Sequence, residues 1–72
     1  MSLKHKPVQS SNIDSVGYDP EKKILELRFK GGGLYAYKGV PQTEHDGLMT
    51  SDSIGSYFHA NIKNAYKFEK LE

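Results

Sequence analysis

Apolar and polar residues alternate most strictly across residues 24–38, and that stretch organises the reading of the whole chain. Leu25, Leu27 and Phe29 alternate with Glu26, Arg28 and Lys30, the period of two that marks a strand with one buried face. After Gly31-Gly32-Gly33, Tyr35 and Tyr37 alternate in the same way with Leu34, Ala36 and Lys38. The pattern predicts a β-hairpin. With the three glycines as the whole loop, Lys30 faces Leu34, Phe29 faces Tyr35, Leu27 faces Tyr37 and Glu26 faces Lys38. That register gathers Leu25, Leu27, Phe29, Tyr35 and Tyr37 on one face and opposes unlike charges on the other. A slip of one residue would turn both tyrosines away from Leu27 and Phe29.

Upstream, residues 15–18 read as a strand, and Asp19-Pro20-Glu21-Lys22 as a turn with proline at its second position. Val16 then faces Leu25, and three strands joined by short turns make an antiparallel meander. Residues 8–11 are expected to be a short extended piece, with Asn12 and Asp14 as turn formers. Downstream of Val40-Pro41 the period changes. Proline suits a helix start, so a helix is expected over 42–49, with Glu44 and Asp46 near its positive end. Gly47 should weaken it by about 1 kcal/mol relative to alanine. Asp52 or Ser53 caps a second helix over 54–64, whose inner face carries Ile54, Phe58, Ile62 and Ala65. Residues 66–71 read as a short last strand, which needs the sheet as partner for its backbone groups. The expected fold is α+β: a small antiparallel meander of three to four strands packed on two short helices, in the order β-β-β-α-α-β.

Composition bounds the function rather than naming it. Seventy-two residues allow one domain, expected over 8–71, with residues 1–7 a flexible, solvated tail carrying Lys4, His5 and Lys6. Met1-Ser2-Leu3 and Leu71-Glu72 have the look of non-native ends and are set aside from the functional reading, Glu72 above all. A chain this short buries only roughly 60% of the surface its unfolded form exposes, so stability is modest and self-association stays open. There is no cysteine, hence neither disulfide nor thiolate metal site. Hydrophobic residues make up 36% and charged residues 26%, and no apolar run approaches the ~20 residues of a membrane span. A cytoplasmic domain with no membrane partner is expected. The net charge of +1 is too small to argue nucleic-acid binding by itself.

Tyr35-x-Tyr37, then Val40-Pro41, then Ser53-x-Gly55-x-Tyr57-Phe58, with Ile62 and Tyr66 downstream, together resemble the KTSC domain. The similarity spans about residues 10–70. Members of that family occur fused to the C-terminus of lysyl-tRNA synthetase and also stand alone in bacteria, and this chain is expected to be of the second kind. The resemblance implies no established activity; it implies RNA binding only through the association with the synthetase. The segment Gln42-Thr43-Glu44-His45-Asp46-Gly47 departs from the family in being less apolar.

Candidate residues follow from the two faces of the hairpin. Arg28, Lys30 and Lys38 form a candidate phosphate-binding surface on the outer face, against the simpler reading of a solvated sheet face. Tyr35 and Tyr37 could stack on unpaired bases, yet the register sends them beneath the helices, where core packing accounts for them. Tyr57, Asn61 and Asn64 form a polar-aromatic stripe that either meets a partner or lies half-buried at the helix–sheet margin. The glycine triplet lacks the lysine and following helix of a phosphate loop, so a turn with positive φ explains it. His5, His45 and His59 lack metal-ligand spacing. His45 and Asp46 are neighbours on a helix and point apart, which disfavours a catalytic triad with Ser51 or Ser53. The expectation is a non-enzymatic binding module without cofactor or metal. Its candidate partners are RNA, or else another protein or a second copy of itself.

Overall fold

The computed structural model describes residues 3–72. Five strands form one antiparallel sheet in the order of the sequence: β1 (His5–Pro7), β2 (Ile13–Asp19), β3 (Ile24–Phe29), β4 (Leu34–Lys38) and β5 (Lys67–Lys70). Helices α1 (Gln42–Thr50) and α2 (Ile54–Asn61) lie between β4 and β5 in the chain, so the order is β-β-β-β-α-α-β. The α+β meander is as expected, with one strand more. The extra strand is β1, in the stretch read as a tail: His5 pairs with Gly17 and Pro7 with Ser15.

The central hairpin keeps its faces but not its predicted partners. Leu25 pairs with Tyr37, Leu27 with Tyr35 and Arg28 with Leu34, two residues away from the register that a glycine-only loop would impose. The cause is a longer turn. Gly32 N–H donates to the Phe29 carbonyl and Phe29 N–H to the Gly33 carbonyl, so Lys30 belongs to the loop, and Gly32 and Gly33 both take positive φ. The β2–β3 turn is displaced by two residues as well, because Lys23 adopts a φ of 56° and stays in the turn, and Val16 therefore faces Leu27. A shift of two preserves which side each residue faces. Leu25, Leu27, Phe29, Tyr35 and Tyr37 accordingly all join the inner cluster with Ile13, Val16, Val40, Leu48, Ile54, Phe58 and Ile62.

The helices close that face. Ser53 caps α2, its side chain accepting from Ser56 N–H at 3.3 Å. Ile54 and Phe58 on α2 and Ile62 just beyond it are buried at intervals of four, whereas Ala65 is exposed because the helix has ended. Pro41 precedes α1 with extended ψ, and Tyr18 ties that entrance to the sheet by donating to the Val40 carbonyl at 2.6 Å.

Gly47 does more than weaken α1. The Tyr57 ring lies against its Cα, and a Cβ built there would meet the ring's Cζ at 2.9 Å and overlap its hydroxyl. Alanine in a helix ordinarily gains about 1 kcal/mol over glycine. Gly47→Ala is expected to lower stability instead, by about 1 kcal/mol of steric strain, and to become neutral or stabilising in a Tyr57→Ala background. Urea unfolding of the four proteins of that cycle checks both statements.

Candidate binding groove

Aromatic side chains on the inner face form a floor that the helices leave partly uncovered. Tyr37 and Phe68 are cross-strand partners on β4 and β5, and their ring centroids lie 5.4 Å apart. Tyr35 is 5.6 Å from Phe68 and meets Phe29 edge-on at 5.4 Å. Phe58 of α2 stands over this row, 5.3 Å from Tyr37 and 5.6 Å from Phe29. Such spacings are those of favourable aromatic pairs. The row exists because strand alternation sends every second residue of β3, β4 and β5 inward. It is open because β5 carries no helix above it: all four of its residues are exposed, and Phe68 is 55% exposed.

The resulting groove has a volume of about 790 Å³. Its rim is built from Asn12 before β2, Ser56 and His59 on α2, and Lys63 and Asn64 just after that helix. Not one of the lining residues is a carboxylate, and Lys63 is the fixed cation among them. Burial, and after it the neighbouring Tyr35, pushes the Tyr37 hydroxyl above its ordinary pKa, so its ring remains neutral at physiological pH. The site can therefore offer π surfaces, amide and hydroxyl groups and a positive charge, all without anionic repulsion.

The residues singled out from the sequence distribute as follows. Tyr35 and Tyr37 lie in the groove, Tyr35 half-buried and Tyr37 buried. Arg28 and Lys38 face the opposite side of the sheet, and each meets a carboxylate, Glu72 at 3.2 Å and Glu69 at 3.5 Å. Lys30 is exposed in the β3–β4 turn. The cations and the tyrosines thus do not form one surface. The stripe also divides: Asn64 joins the groove rim, Asn61 donates to the Tyr57 carbonyl within its own helix, and the Tyr57 ring turns toward α1. Phe68, Phe29, Lys63 and His59 were not read as site residues. The sequence predicts a last strand over 66–71 but not its register, and it is the pairing of Phe68 with Tyr37 that sets Phe68 on the tyrosine face.

Three polar clusters lie outside the groove. Glu44 accepts from Tyr57 Oη at 2.5 Å and from Tyr66 Oη at 3.1 Å, joining α1 to α2 and to the segment before β5. On the outer face, His5 bridges two strands, Nε2 to Glu26 Oε1 at 2.8 Å and Nδ1 to Ser15 Oγ at 2.8 Å. The set resembles a Ser–His–Glu relay in composition, but neither main cavity reaches Ser15 or Glu26. Lastly, the Tyr18 and His45 rings stack at 4.5 Å beside a smaller hollow of about 260 Å³ that Lys4 and Lys6 also line. Among the described residues no group of three or more His, Asp or Glu is placed to hold a metal, and no helix is long and apolar enough to cross a membrane.

The sequence profile of the KTSC domain matches residues 9–66. An uncharacterized protein of Stutzerimonas stutzeri is 38% identical over 71 residues, covering 97% of this chain and all of that protein. A lysine–tRNA ligase of Nostoc is 38% identical over 63 residues, which cover 88% of this chain but 11% of the ligase. The crystal structure of a KTSC domain protein from Yersinia pestis superposes with a TM-score of 0.94 at 38% identity, over 99% of this chain and all of the other.

The shared Glu44 carries a pH signature. The hydrogen bond to Glu44 first, then burial, raises the Tyr57 pKa, and burial first, then its own hydrogen bond to Glu44, raises that of Tyr66. A tyrosine pKa raised by folding contributes stability that is complete below about pH 10 and is lost as pH climbs through the folded value. Urea midpoints should fall steeply above about pH 10. Tyr57→Phe is expected to cost about 1 kcal/mol at neutral pH and to make the alkaline fall shallower. A variant with the wild-type alkaline slope would show that this bond does not carry the effect.

Proposed function

The chain belongs to the KTSC domain family, and from that premise we propose that it is a non-enzymatic module binding single-stranded RNA in the aromatic groove. The observation that carries this reading is the lining itself: four aromatic rings from β3, β4 and β5, a lysine, and no carboxylate. Every base has a π face, so a row of rings accepts unpaired bases with little regard to sequence, at ~1–3 kcal/mol per stacked base. Asn12, Asn64 and Ser56 supply donors and acceptors for base edges, and Lys63 on the groove rim supplies a positive charge for a backbone phosphate. The RNA context is supported by relatives named lysine–tRNA ligase, of which the matching segment is about a tenth. The net charge of +1 implies modest affinity and few neutralised phosphates.

The test is fluorescence anisotropy of short labelled single-stranded RNAs at low salt. Binding is expected to weaken as salt rises, with a shallow slope. Phe68→Ala should weaken it about five- to a hundredfold, the equivalent of one stacked base. Lys63→Gln should lower the salt slope by about one. Arg28→Gln and Lys38→Gln should change little, because Glu72 and Glu69 already offset those charges. No binding at low salt, or equal loss from the outer-face substitutions, would overturn the reading.

A further inference from the structure

The two edges of the sheet differ. β1 is protected: Pro7 has no N–H to offer, and Lys4 and Lys6 flank it with like charges. β5 reads Lys67-Phe68-Glu69-Lys70, with neither proline nor bulge, and among the described residues no strand pairs with its far side. Leu71 N–H donates to the Leu34 carbonyl at 2.6 Å, so odd-numbered residues of this segment turn their backbone groups toward β4. The bond from Phe29 N–H to the Gly33 carbonyl agrees: it commits Tyr35 and Tyr37 to β3 and leaves Leu34, Ala36 and Lys38 for β5. The N–H and C=O groups of Tyr66, Phe68 and Lys70 consequently point away from the sheet. The large apolar side chains that stand exposed, Phe68 and Leu71, lie on this same segment.

We propose that two copies of the chain pair through β5, antiparallel about a two-fold axis at Phe68. In that register Phe68 faces the partner's Phe68 and exchanges both backbone hydrogen bonds with it. Lys70 does the same with the partner's Tyr66. Lys67 falls opposite the partner's Glu69, and Glu69 opposite the partner's Lys67, so the strand is complementary to itself in charge. The pairing also relieves a feature of the single chain. Lys38 and Lys67 are direct cross-strand partners of like charge, with Glu69 reaching only Lys38, at 3.5 Å. The partner's Glu69 supplies the missing counter-charge beside Lys67. A two-fold contact closes after two copies, whereas β1 against β5 would propagate. The result is one continuous sheet. In it the aromatic row of each copy runs through Phe68 into that of the other.

Sedimentation equilibrium of the full chain, without nucleic acid, tests this independently of what the groove binds. The expected mass is twice that of the chain. Lys67→Glu places like charges opposite each other twice and should raise the dissociation constant at least tenfold. The double variant Lys67→Glu/Glu69→Lys exchanges the two partners and should restore the dimer. Circular dichroism of each variant separates loss of pairing from loss of fold. Three outcomes overturn the proposal: a chain monomeric up to about millimolar concentration, a dimer indifferent to Lys67→Glu, or pairing seen only once RNA is added. RNA binding retained by the monomeric Lys67→Glu variant would leave the groove reading standing while assigning the edge its separate role.

Discussion

Adjacent residues of a strand face opposite sides of a sheet, and in β3 and β4 this alternation decides both what folds and what can bind. Leu25 and Leu27 are wholly buried, and each such side chain is worth about 1.5–3 kcal/mol relative to exposure. Their alternates cannot share that face. Lys38 is therefore held away from Tyr35 and Tyr37 by alternation within β4, and the observed register of β3 against β4 holds Arg28 away from them too. A surface that is both basic and aromatic is not assembled from these four residues in this register. The cation that accompanies the aromatic row comes from elsewhere, from Lys63 beyond α2.

The outer face is not simply solvated. Glu26 is 4% exposed on the side away from the core, beneath β1. A carboxylate in that position is costly unless paired, and His5 pairs it while its second ring nitrogen engages Ser15. Gly17, between His5 and Glu26 in the cross-strand row, leaves room for the imidazole: a Cβ there would come within 2.7 Å of its Cδ2. The buried acid, the histidine and the glycine form one arrangement across three strands. It explains how a three-residue strand containing proline is held to the sheet.

Which residues face inward was legible, because parity survives a shift of two. The turns were not, since neither Lys23 at positive φ nor Lys30 inside the glycine loop leaves a mark in the hydrophobic pattern. β1 escaped notice because His-Lys-Pro has no apolar alternation. Its traces lay in the partners, in a glycine within a strand and an acid between two leucines. Helix α1 was legible in extent but not in role, because the worth of Gly47 and Glu44 depends on where Tyr57 arrives from ten and more residues away. The groove was half legible. Alternation placed Tyr35 and Tyr37 together with Phe29, but the register that brings Phe68 beside them, and which strands two short helices leave bare, depend on how distant segments dock, and no local pattern records that.

These features make a sheet whose inner face changes character along its width, from closed core at β2 and β3 to an open aromatic row at β4 and β5. Both readings of function, the groove and the self-pairing edge, require the tyrosines to be on that side. Cross-strand Hα–Hα contacts measured by NMR test it most directly. In an antiparallel ladder they mark the closely spaced, non-hydrogen-bonded pairs. The structure predicts contacts between Glu26 and Ala36 and between Arg28 and Leu34. Contacts of odd register, with Glu26 opposite Tyr35 or Tyr37, would turn the aromatic rings to the outer face and contradict the account.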